Sequence, residues 1–244
     1  IAKQYHQLVT PNHRMPVIHR DKRADGSQKR YFKEAVLQEY GAHHVAPISG
    51  YTKKVSKGMS SLDKIKVAAQ ADGTVSSRYT GSRCGTIPVW FTLTKQRKID
   101  RLKKLCIDAG VVLHELTEGR RDNSSRFKID FPVTEVGALD LKSFSWLNLS
   151  EISVDYCRDF LEEVSKWDSH KRTDGYGDTF TYSTTVEYNA DVVQAVSSLC
   201  GKSPRLYVRS DDRKPSYKDV YSVSVVDRQY KDGQSINRRL VPYK

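Results

Sequence analysis

The feature that most constrains this chain is a repeated order of elements. In the first half, Ser60 and Ser61 precede apolar residues at helical spacing, Leu62, Ile65 and Ala69, and the pattern closes on Asp72-Gly73. Ser at the cap, Asp63 in the first turn and Gly73 at the stop suit the two ends of a helix. Strand-like stretches follow at 74–79 and 86–93. A helix over 97–109 then stops at Gly110, and strands at 111–116 and 126–133 surround a polar turn. The second half replays this order. Ser153 and Asp155 open a helix with Cys157, Phe160, Leu161 and Val164 on one face and Asp168 at its end. A loop holding Asp174, Gly175 and Gly177 leads to a strand at 179–184, a helix over 189–199 stops at Gly201, and strands at 205–209 and 220–226 flank a basic turn. Helix, two strands, helix, two strands, twice over, predicts a pseudo-symmetric α+β protein.

Charge narrows the partner. Forty-one Lys and Arg against 29 Asp and Glu give a net charge of +12 over 244 residues. That balance favours a polyanion, because every neutralised phosphate releases condensed counterions. A membrane is not expected: no apolar run approaches the roughly 18 residues of a spanning helix, and no long basic amphipathic helix is present. The start, Ile1-Ala2-Lys3-Gln4-Tyr5-His6, lacks the apolar core of a secretory leader and does not open on Met, which reads as a processed product or a fragment. Cys84, Cys106, Cys157 and Cys200 stand far apart with no CxxC pair, against a zinc finger or a disulfide scaffold. Cys106 and Cys200 fall in apolar helical patterns and read as buried thiols in a reducing intracellular compartment, the cytoplasm of a microbial or phage-infected cell.

Each half's first helix thus ends on one acid, Asp72 in KIKVAAQADGTV and Asp168 in RDFLEEVSKWDSH. A lone Asp before Gly is by itself an ordinary helix end; a second acid at the matching place, leading the same element order, argues for more. The first string resembles the LAGLIDADG motif at Ala71-Asp72-Gly73. The second resembles its degenerate form, with Phe160-Leu161-Glu162 opening and Asp168 closing, although Glu163 stands where a small packing residue is usual and Ser169 replaces the final Gly. The chain is therefore similar to two-motif, monomeric LAGLIDADG homing endonucleases.

That resemblance implies two αββαββ halves, over 51–150 and 151–244, with central packed helices and curved antiparallel sheets that straddle double-stranded DNA. It implies a site-specific endonuclease cutting a long asymmetric target, each Asp facing one strand. Asp72 and Asp168, with backbone oxygens at Ala71 and Trp167, would hold Mg2+, a hard cation that keeps water and substrate phosphate among its ligands; Mn2+ or Ca2+ would substitute for binding. Lys95, at the end of Phe91-Thr92-Leu93-Thr94-Lys95, matches the family's water-organising position. Lys142, in Leu139-Asp140-Leu141-Lys142, matches its active-site lysine, which would stabilise developing phosphorane charge. The second half offers Thr185 or Val186 opposite Lys95 and no clear lysine opposite Lys142, so unequal centres are expected. The alternative is a protein on the same scaffold that binds DNA or RNA without cutting it, as maturases do.

Two-stranded ribbons fit the major groove, where base edges are distinguishable. The expected ribbons carry Arg78, Tyr79, Arg83, Arg120, Arg121 and Arg126 in the first half. In the second they carry Lys171, Arg172, Tyr176, Tyr182, Arg209, Arg213 and Lys214.

Residues 8–17, LVTPNHRMPV, are similar to an intein splicing block in which a Thr-x-x-His, here Thr10 to His13, assists the first acyl shift. HHVAPISGY at 43–51 is similar to the connector into an intein's endonuclease. Residues 1–50 thus read as a splicing-domain remnant of the Hint type, with splicing-domain pieces as further partners. No Cys or Ser nucleophile opens the chain and no His-Asn pair closes it, so His13 reads as vestigial or waiting for a partner piece.

Overall fold

A computed structural model describes residues 14–22, 25–36, 44–45, 57–75, 86–116, 124–132, 141–172, 179–210 and 218–226. Strands β1 (Arg14–Lys22), β2 (Gln28–Val36) and β3 (His44–Val45) form an antiparallel sheet in the order β2-β1-β3. At the β1–β2 turn Gly26 has φ 79°, and the Ser27 amide donates to the Asp25 carboxylate at 2.8 Å. This hairpin departs from the sequence reading, which placed no strand here. Asp-Gly between two strand-forming runs was its signal, because only a residue without Cβ enters the left-handed region freely.

The two expected halves follow. The first contains α1 (Ser61–Asp72), β4 (Gly73–Val75), β5 (Thr86–Leu93), α2 (Gln96–Ala109), β6 (Leu113–Leu116) and β7 (Ser125–Pro132). The second contains α3 (Val154–Trp167), β8 (Ser169–Arg172), β9 (Thr179–Thr184), α4 (Glu187–Leu199), β10 (Ser203–Arg209) and β11 (Val220–Val226). Their antiparallel sheets run β4-β5-β7-β6 and β8-β9-β11-β10, the same topology. The α+β architecture is therefore two αββαββ halves related by a pseudo-two-fold, with α1 and α3 packed on each other between the sheets. Strand β8 was missed in the sequence, since Ser-His-Lys-Arg carries no strand periodicity and pairs only because β9 runs beside it.

Local chemistry fixes the helix ends as expected. Ser60 accepts from the Asp63 amide at 3.1 Å and Ser153 from the Tyr156 amide at 3.1 Å, each satisfying an orphan donor of its helix. Gly110 and Gly201, at φ 66° and 77°, follow α2 and α4. Gly73 differs. It is extended, at φ −78°, and opens β4; a Cβ there would lie 2.7 Å from the Ala69 backbone, so close approach rather than handedness calls for glycine. In its counterpart, the Ser169 hydroxyl donates to the Ser165 carbonyl at 2.6 Å.

The core runs continuously through both halves. Ala68, Ala69, Val164 and Trp167 are buried on the central helices, under Val89, Phe91 and Phe127 of one sheet and Phe180, Val223 and Val225 of the other. Leu141, Phe144 and Leu147 anchor the segment joining the halves. Among the described residues, no helix is long and apolar enough to cross a membrane.

Candidate active site at the ends of the central helices

The C-terminal ends of α1 and α3 bring the two acids into one electrostatic neighbourhood. Asp168 is pushed above the usual carboxylate range, first by burial and then by the Asp72 charge, with Lys98 and Lys142 opposing. A cleft of about 340 Å³ lies beside Asp168, lined by Gln70, Ala71, Lys142, Ser183 and Thr184 among others. The structure thus brings Asp72, Asp168, Lys98 and Lys142 together at the ends of the central helices.

Lys142 is held by residues from both halves. The flanking Leu141 and Phe144 are buried. Asn189 of α4, itself buried, accepts from the Phe144 amide at 2.8 Å and donates to the Lys142 carbonyl at 2.9 Å. The ammonium then meets four carbonyls at the end of α1: Gln70 at 2.7 Å, Gly73 at 2.8 Å, Ala69 at 3.2 Å and Ala71 at 3.3 Å. A cation there satisfies orphan acceptors and opposes the negative end of the helix dipole.

Lys98 was missed by the sequence reading. Its ammonium lies 2.5 Å from Asp72 Oδ2 and 5.7 Å from the centre of the Trp167 ring. One turn of α2 carries Lys98 round to the acid, whereas Lys95, the expected residue, stands exposed at the helix cap. Among the described residues the Lys95 ammonium forms no hydrogen bond or ion pair. The helix period places Lys98 on a face of α2, but only the packing of α2 beside the end of α1 decides that this face meets Asp72.

Glu163 occupies the departure from the motif. It is 1% exposed, yet its carboxylate takes both Arg101 Nε (3.0 Å) and Arg101 Nη2, and accepts the Trp167 indole N–H at 2.8 Å. The charge is therefore fully hydrogen-bonded, which a buried carboxylate needs. Arg97 adds a bond from α2 to the Lys166 carbonyl of α3 at 2.6 Å.

Among the described residues no group of three or more Asp, Glu, His and Cys side chains is placed to hold a metal ion. The donor set is two carboxylates with helix-end carbonyls. All are hard oxygens, which suits Mg2+ bound through one or two protein carboxylates plus substrate phosphate. Asp72, Asp168 and the Ala71 carbonyl fit that role, the last shared with Lys142. The Trp167 side chain is occupied by Glu163, leaving only its backbone oxygen for the expected part.

The expected DNA-contacting residues divide. Arg126 lies on the face of β7 opposite the core-facing Phe127 and Ile129, in register with Thr92 and Leu116 and followed on that face by Lys128. Arg209 lies on the outer face of β10 with Tyr207 and Arg205, two and four residues earlier. Strand alternation could have added Arg205, Tyr207 and Lys128 to the list. Tyr182 is a correction. It is 1% exposed, in register with Val223 and Ser169, and faces the helices, because it takes the place that Phe91 holds in the first half. Burial pushes its phenol up to about 12, with Thr184, Gln70 and Asn189 beside the hydroxyl. Lys171 and Arg172 belong to β8, in register with Phe180 and Thr179. Arg78, Tyr79, Arg83, Arg120, Arg121, Tyr176, Arg213 and Lys214 lie outside the described residues, as do Thr10 and His13.

Comparison with known proteins yields relatives rather than a family. No family model matches the chain. A ribonucleoside-diphosphate reductase subunit beta from Aquifex aeolicus (strain VF5) is 27% identical over 216 residues; the match takes in 85% of this chain and spans 30% of that protein's length. Among solved structures, the N-terminal LAGLIDADG domain of DUF199/WhiA is similar at 10% identity and a TM-score of 0.42, over 75% of this chain and 82% of that one. The homing endonuclease I-DmoI, in complex with DNA and Ca, is similar at 12% identity and a TM-score of 0.46, over 68% of this chain and 82% of its own.

Proposed function

We propose that this chain is a site-specific, Mg2+-dependent endonuclease of the LAGLIDADG homing type that cuts both strands of a long asymmetric DNA target as a monomer. The observation that carries this reading is the convergence of one carboxylate from each half, with two lysines, at the ends of the packed helices α1 and α3. Asp72 and Asp168 hold the cation and orient a phosphodiester from each strand. When bound, Mg2+ supplies charge stabilisation to the attacking and leaving oxygens. Lys142, fixed on the α1 carbonyls, and Lys98, on Asp72, place positive charge where phosphorane oxygens develop. Arg126, Arg205 and Arg209 on the outer sheet faces supply groups that pair with guanine or phosphate.

The same proposal includes descent from an intein acting in the cytoplasm. An element spliced out of a host protein gives a match over most of its own length to a minor part of a longer polypeptide, as with the reductase relative. Thr10 and His13 then belong to a splicing-domain remnant. Joining the missing flanks and assaying host ligation tests this part separately.

A second reading draws on Asp72 being in an ion pair with Lys98: a binding protein on the same scaffold that does not cut. Selection of cleaved sites from a randomised DNA library with Mg2+, beside Asp72→Asn and Asp168→Asn, separates the two. One long site cut on both strands, with both variants inactive but still binding, supports the endonuclease. Sequence-specific binding that persists in EDTA, with no cut product from the wild-type chain, replaces it with the binding protein.

A further inference from the structure

The pseudo-two-fold allows residues of the two halves to be matched by counting from the acids and from the second-helix caps. Trp167, immediately before Asp168, matches Ala71 before Asp72, and Glu163, five before, matches Val67. Lys98, three past the cap Lys95, matches Asn189 past Val186, and Arg101, six past, matches Val192. On one side of the axis, where α2 meets α3, these positions form a connected set. Arg101 clamps Glu163, Glu163 accepts the Trp167 indole N–H at 2.8 Å, and the Trp167 ring carries the Lys98 ammonium at 5.7 Å. Lys98 in turn reaches Asp72 at 2.5 Å. The equivalent positions on the other side are Val192, Val67, Ala71 and Asn189, and Asn189 is spent on the backbone of 142–144.

We propose that Trp167 is a positioning residue that holds Lys98 against Asp72 and thereby makes the two hydrolytic centres unequal, so that one DNA strand is cut ahead of the other. This rests on the endonuclease reading. An aromatic face attracts an ammonium and restricts a long, flexible side chain to one place. The indole itself cannot swing away, because its N–H is tied to a buried carboxylate that arginine fixes in two places. Among the described residues no side-chain cation is bonded to Asp168 in this way: Lys98 pairs with Asp72, and Lys142 donates to the carbonyls of α1. The second centre therefore works with the hydroxyls of Ser183, Thr184 and Thr185 in the cleft beside it.

The test is cleavage of the selected target with each strand separately end-labelled. The wild-type chain is expected to pass through a nicked duplex cut in one defined strand. Lys98→Met, at a partly exposed helix position, is expected to slow that strand about tenfold and leave the other unchanged. Trp167→Leu should do the same with Ca2+-supported DNA binding intact, Trp167→Phe should recover most of the loss by restoring a ring, and the double variant should be no worse than either single one. Equal loss on both strands, additive losses, or failure of Trp167→Phe to recover rate would overturn the positioning role. A target that is cut with equal strand rates defeats this inference alone, whereas a wild-type chain that cuts no duplex defeats the endonuclease reading and this one with it.

Discussion

The two halves share a backbone plan and divide over charge. In both, a Ser-capped helix ends on an aspartate, a short strand leaves it, and the same sheet order follows. Yet the α2–α3 side of the axis is built from Arg101, Glu163, Trp167 and Lys98, where the α4–α1 side has Val192, Val67, Ala71 and Asn189. Glu163 and Trp167 are buried on the first side, and Val192, Val67 and Asn189 on the second. The difference teaches that topology reserves positions without dictating their chemistry. A buried contact can be closed by apolar packing or by a fully bonded ion pair, and the second brings directed charge to the site.

Converting one side into the other breaks this comparison most sharply. Glu163→Val alone strands Arg101 and the Trp167 indole and is expected to cost about 3–5 kcal/mol in chemical denaturation. Adding Arg101→Val, which reproduces the Val67 and Val192 side, should recover most of that loss. A double variant as unstable as the single one would mean the two sides are not interchangeable.

Next in size are the acids. Asp72→Asn and Asp168→Asn should each lower cleavage by about two to three orders of magnitude. Their stabilities should part company. Asp168 is held above the usual range by burial and by Asp72, so its amide variant should melt about 2–4 °C higher. Asp72→Asn strands Lys98 and should gain nothing. Equal melting shifts would erase the asymmetry between the centres.

Lys142→Met removes the cation from the α1 carbonyls, with an expected cost of about 1 kcal/mol in stability and a slower cut. The last effect is on pH. Burial pushes Cys106 of α2 up to about 11 and Cys157 of α3 up to about 12. An unfolded thiol ionises near about 8.5. The unfolded chain then binds fewer protons than the folded one, and stability falls as pH rises from about 8.5 towards 11. Cys106→Ala and Cys157→Ala should each flatten that slope, Cys157→Ala the more, when unfolding is followed by denaturant titration.

Much of the scaffold was legible because its signals are local. Ser60 and Ser153 as caps, Gly110 and Gly201 as stops, and the apolar spacing between them follow from a chain's own hydrogen-bond needs. The hairpin around Asp25-Gly26 carries an equally local signal. The resemblance pointed to Asp72, Asp168 and Lys142, and the structure places these three at the ends of the central helices. Lys98 was not legible, since its role depends on α2 lying beside the end of α1. Tyr182 was misplaced because strand alternation fixes which residues share a face but not which face is buried.

By itself, the sequence determined the repeat, the helix ends, the excess of positive charge and the two terminal acids, all properties of residues a few positions apart or of the whole composition. Only the tertiary structure decided which side of each strand meets the helices, which lysine meets Asp72, and which groups bond a glutamate inside the core. Those depend on groups such as Arg101 and Glu163, 62 residues apart, that become neighbours only when α2 packs across α3.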